Sequence, residues 1–103
     1  MSLLPRIAEL LGQGRSLVVI TLVEARGSSP REPGARLLLL DDGSREGTVG
    51  GGLLEARALE EASRIRTEGG PPRLVELRMD AEQAGDEGML CGGWARLLIE
   101  RLG

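Results

Sequence analysis

Ser16-Leu17-Val18-Val19-Ile20-Thr21-Leu22-Val23-Glu24-Ala25 is the stretch that decides how this chain folds. It is nearly continuous in Leu, Val and Ile, so it predicts a central strand buried on both faces. Its apolar part, 17–23, is far too short to span a bilayer. Upstream, Leu3, Leu4, Ile7, Ala8, Leu10 and Leu11 recur at helical spacing. Pro5 suits a first turn, and Gly12 or Gly14 supplies the stop.

Downstream, a second strand is expected over 35–40. Asp41-Asp42-Gly43-Ser44 follows as a turn, because Asp and Gly tolerate left-handed backbone, and 45–49 returns as the other arm of a hairpin. Gly50-Gly51-Gly52 then opens a helix over 53–68, closed by Gly69-Gly70-Pro71-Pro72. Residues 73–79 alternate as a strand, 81–87 read as a short acidic turn or helix, and 94–100 as a last strand. The fold class is therefore α/β or α+β: one small domain over 1–103, a mixed sheet of about five strands, and two main helices.

Composition excludes several chemistries. The chain has 103 residues, 41% apolar and 28% charged, with a net charge of −3. Those values describe one globular domain with a core of its own. The acidic balance and the single aromatic residue, Trp94, speak against a nucleic-acid surface. No histidine or lysine is present, so Ser-His-Asp and Cys-His catalysis, Schiff-base chemistry and His-containing zinc sites are excluded. One cysteine makes neither an internal disulfide nor a Cys-rich metal cage. No basic-then-apolar signal pattern opens the chain, so the expected location is the cytoplasm.

Three glycine-rich segments carry the candidate site. Gly27-Ser28-Ser29-Pro30-Arg31-Glu32-Pro33-Gly34 ends the first strand and offers two hydroxyls and a guanidinium, with Arg26 beside them. Such a fork suits phosphate or carboxylate oxygens, and the prolines stiffen the loop. Gly50-Gly51-Gly52 before a helix offers amide donors at the positive end of a helix dipole, an arrangement that suits an anion. It is equally readable as a tight turn packed against another backbone.

Cys91-Gly92-Gly93 precedes the last strand. An isolated cysteine is commonly a small buried hydrophobe. Adjacent amides and arginines, however, favour a thiolate, which suits a soft or sulfur-bearing metal centre.

Within the second helix, Leu54, Ala58, Leu59, Ala62 and Ile65 form the apolar face. Arg57–Glu61 and Glu60–Arg64 stand at i,i+4 spacing on the other side. Glu55 projects into the apolar face one turn after the triple glycine. A carboxylate there needs a partner: it caps helix amides, pairs with an arginine of a neighbouring strand, fixes the glycine loop, or meets donor nitrogens of a ligand.

Taken in order, Gly27 to Ala35, Gly47-Thr48-Val49-Gly50-Gly51-Gly52-Leu53-Leu54-Glu55 and Gly88-Met89-Leu90-Cys91-Gly92-Gly93 resemble the signature blocks of the XdhC/CoxI family. These are xanthine dehydrogenase accessory factors, serving molybdenum hydroxylases. The resemblance implies a non-catalytic chaperone that transiently binds the molybdenum cofactor (molybdopterin), holds it for sulfuration by a cysteine desulfurase, and inserts it into a hydroxylase apoenzyme such as xanthine dehydrogenase.

By that resemblance, Ser28, Ser29, Arg31, Gly50, Gly51, Gly52, Glu55, Cys91, Gly92 and Gly93 contact the cofactor, with Cys91 a ligand on the molybdenum side. An enzyme acting on a nucleotide or phosphorylated metabolite, with Cys91 as nucleophile, is the alternative reading. Family members commonly carry a C-terminal Rossmann-like domain, which the 103 residues do not contain. The expectation is a separate Rossmann-domain partner, and homodimerisation of the small domain.

Overall fold

The computed structural model of the chain describes residues 2–27, 32–79 and 93–103. In chain order the elements are α1 (Leu4–Gly12), β1 (Leu17–Arg26), β2 (Arg36–Leu40), β3 (Arg45–Gly47), α2 (Gly52–Glu68), β4 (Arg73–Met79) and β5 (Gly93–Leu102). Both helices, all five strands and the 41–44 turn fall where the sequence pattern puts them. The acidic segment 81–87 lies outside the described residues.

The strands form one sheet in the order β3-β2-β1-β5-β4, with β1 at its centre. All four neighbouring pairs are antiparallel, which corrects the expectation of a mixed sheet. A continuous apolar run marks cover on both faces, and here two helices supply that cover without any parallel pairing.

On one face, α2 lays Leu54, Ala58, Ala62 and Ile65 over Val18, Ile20, Leu22, Leu37, Leu39, Ala95, Leu97 and Ile99. On the other, Ile7 and Leu10 of α1 pack on Leu17, Val19, Leu38 and Leu40. Residues of β1 are thus buried without interruption from Leu17 to Ile20. The second cover stops there. The register of β1 against β5 shifts between Leu22 and Glu24, and Val23 at that irregularity is 43% exposed.

The exposed side of α2 pairs differently from its sequence spacing. Arg64 meets Glu61 at 3.0 Å, one position nearer than the expected Glu60, and Arg73 of β4 meets the same Glu61 at 3.2 Å. β4 presents a cation that the helix spacing alone does not contain, and Glu61 binds both arginines in place of Arg57.

The C-terminal end of α2 lies at the β2–β3 turn, where an Arg66 N–H donates to the Asp41 carbonyl at 3.4 Å. Its N-terminus therefore points to the opposite end of the sheet. There β1 finishes, β2 starts, and Gly93 of β5 stands opposite Met79 of β4.

Candidate functional site

The glycine turn before α2 is built around one carboxylate oxygen. Glu55 Oε1 accepts from the Val49 and Gly51 amides, each at 3.2 Å, and from the Thr48 hydroxyl. Thr48 Oγ1 in turn accepts from the Gly50 amide at 3.0 Å. Glu55 thus resolves its own sequence puzzle: it bonds the helix-entry amides and so fixes the glycine loop. Among the described residues it makes no ion pair with an arginine.

This wiring narrows the anion reading. The Val49, Gly50 and Gly51 amides have internal acceptors, so they are not the donors available to a ligand. The amides of Gly52, Leu53 and Leu54 have no acceptor among the described residues, and they sit at the positive end of the helix dipole. Gly51 holds φ 76° and ψ −169°, a region that side chains other than glycine avoid. Among the described residues no atom lies within 4 Å of where its Cβ would stand, so the turn is not packed against a described stretch of backbone there.

The anchors of the other two segments meet this end of the sheet. Arg26 pairs with Trp94, and the Gly34 amide donates back to Leu22 O at 2.7 Å, closing the return from the first glycine-rich segment. Gly93 opens β5 at the same level. Ser28, Ser29, Arg31, Cys91 and Gly92 lie outside the described residues. Among the described residues, no cluster of three or more His, Cys, Asp or Glu side chains could hold a metal ion.

Sequence reasoning missed a second feature at this end, on the sheet face away from α2. Glu24 and Arg26 of β1, Trp94 and Arg96 of β5, and Glu76 and Arg78 of β4 line a shallow groove of about 320 Å³. Arg96 lies between two carboxylates, 3.4 Å from Glu24 and 3.6 Å from Glu76, with its guanidinium 5.1 Å from the Trp94 ring centroid. The Trp94 indole N–H, then the charges of Arg96 and Arg78, hold the Glu76 carboxyl below its ordinary range. The signal was present as charged or aromatic residues two apart on three strands. Only the register shows that the three pairs are neighbours.

Residues 10–78 match the model of the XdhC and CoxI family, and the chain belongs to that family. It is 36% identical over 95 residues to the molybdenum cofactor insertion chaperone PaoD of Escherichia coli, covering 91% of this chain and 29% of PaoD. It is 37% identical over 99 residues to the uncharacterized E. coli protein YqeB, covering 96% of this chain and 18% of YqeB. The solved structure of a xanthine dehydrogenase from Bacillus halodurans superposes with a TM-score of 0.76 at 29% identity, covering 100% of this chain and 31% of that one. The chain therefore spans less than a third of the length of each of these relatives.

Proposed function

We propose that this domain is a non-catalytic accessory module that binds the molybdenum cofactor as cargo for insertion into a molybdenum hydroxylase. The observation that carries the reading is the match to a named cofactor insertion chaperone across 91% of the chain. The donor set suits such a cargo. The Gly52, Leu53 and Leu54 amides, without acceptors among the described residues, would suit a phosphate, and Glu55 and Thr48 hold the turn before them.

In this reading Ser28, Ser29 and Arg31 add hydroxyl and guanidinium donors to the phosphate end. Cys91, with Gly92 and Gly93, would serve the molybdenum end, its thiolate being the side chain suited to a soft metal centre. Sulfuration by a cysteine desulfurase, hand-over to an apoenzyme and a separate Rossmann-domain partner complete the proposal. No helix among the described residues is long and apolar enough to cross a membrane, and a cytoplasmic site of action is part of the same proposal.

The test is retention. Purified chain is incubated with isolated molybdenum cofactor, desalted, and assayed for molybdenum and for the fluorescence of the oxidised pterin. Near-stoichiometric retention that falls in Cys91→Ser for the metal, but less for the pterin, is expected. Retention no greater than that of an unrelated protein of similar charge would overturn the reading.

A further inference from the structure

The β1-β5-β4 face away from α2 carries two adjacent rows of side chains set by the strand register. One row is Glu24, Arg96, Glu76; the next is Arg26, Trp94, Arg78. Alternation fixes their side of the sheet, because Ala25, Ala95, Leu97, Val75 and Leu77 all pack into the α2 core. α1 covers only the opposite end of this face. The Arg26 and Arg78 side chains are 76% and 79% exposed although each has a carboxylate two residues away on its own strand. Leu74, on the same face, is 61% exposed.

We infer that this face is a self-complementary dimer interface, in which a second copy of the chain packs the Glu24–Arg96–Glu76 row against the Arg26–Trp94–Arg78 row of the first. A two-fold axis running between the rows and parallel to them places Glu24 opposite the partner's Arg26. It likewise sets Arg96 opposite the partner's Trp94 and Glu76 opposite the partner's Arg78. Each contact occurs twice, as an isologous interface demands.

The register discriminates between symmetries. A two-fold axis parallel to the strands would instead put Glu24 opposite Glu76, Arg26 opposite Arg78 and Arg96 opposite Arg96, like charge on like in every case. Two sheets packed face to face lie about 10 Å apart, a gap that arginine and tryptophan side chains fill. The inference rests on the register and charge pattern alone and does not depend on the proposed cofactor role.

Sedimentation at micromolar concentration tests it with two charge-reversed double variants, Arg26→Glu/Arg78→Glu and Glu24→Arg/Glu76→Arg. The wild-type chain is expected to sediment as a dimer. Each variant alone opposes like charges across the axis, and its dimer dissociation constant should rise about tenfold or more. Circular dichroism melts show whether each variant is folded.

Mixing the two variants restores opposite charges at every facing pair, so the mixture should recover a dimer of wild-type affinity. Recovery on mixing also shows that both variants kept the fold. A monomeric wild-type chain would overturn the inference and leave the face to a different partner. So would a dimer indifferent to the reversals, or folded variants that fail to associate when mixed.

Discussion

Glu55 reaches back over the first turn of α2 to accept the Gly51 amide at 3.2 Å, so the helix carries its own clamp on the turn that starts it. Three donors share this one oxygen. Glu55→Ala leaves them without an acceptor, and a loss of about 1–3 kcal/mol of stability is expected. Glu55→Gln keeps a neutral acceptor and should lose less. Thermal melts give the order, and amide exchange at Val49 and Gly51 should quicken in both variants. Unchanged exchange in Glu55→Ala would remove the clamp role.

Gly51 and Gly47 separate conformational strain from collision. Gly51→Ala forces a side chain to φ 76° in open space, and a cost of about 1–3 kcal/mol is expected from strain alone. Gly47 has φ 84°, and a Cβ there would lie 2.5 Å from the Arg36 carbonyl oxygen and 2.6 Å from Leu3 Cδ1. The carbonyl belongs to β2, in the strand pair that Gly47 closes, and cannot retreat without breaking the hairpin. Gly47→Ala should therefore lower the melting temperature more than Gly51→Ala, and the reverse order would contradict this geometry.

Arg31 is the sequence-derived candidate for the phosphate end. Arg31→Ala should weaken cofactor binding by roughly 1.5–3 kcal/mol, the range for hydrogen bonds to charged groups, and leave the melting temperature unchanged. Arg31→Lys should recover part of the loss, because an ammonium lacks the bidentate fork. Equal affinities of wild type and Arg31→Ala in a binding titration would exclude the role.

Acid should loosen the α1–hairpin corner. Hydrogen bonds from Arg6 hold the Glu46 carboxyl below its ordinary range, and those from Arg15 do the same for Asp41. A carboxyl whose folded-state pKa is depressed stabilises the fold above its unfolded pKa, and that contribution is lost as pH falls through the folded value. The melting temperature should be flat near neutrality and fall below about pH 4, where carboxylates of ordinary pKa begin to protonate. Glu46→Gln should start lower and fall less steeply. An identical acid slope in wild type and Glu46→Gln would show that this pair contributes nothing measurable.

Local pattern and tertiary placement divided this protein between them. The helical spacing of Ile7 and Leu10, the apolar run of β1, the Asp-Asp-Gly-Ser turn and the Leu54–Ala58–Ala62–Ile65 stripe were all legible in the sequence. Each is a periodicity or turn preference acting over a few residues, and such forces are written in neighbouring positions. The three glycine-rich segments were legible for the same reason, since backbone freedom is a property of the residue itself.

What neighbouring positions do not contain is which distant strand lies beside which. The antiparallel insertion of β5 next to β1 brought Arg96 between Glu24 and Glu76, although Glu24 and Arg96 are 72 residues apart. It set Trp94 between Arg26 and Arg78. The same placement gave Glu61 to Arg73. Sequence decided which side chains were available; the competition among all of them for partners in one packed sheet decided which became neighbours.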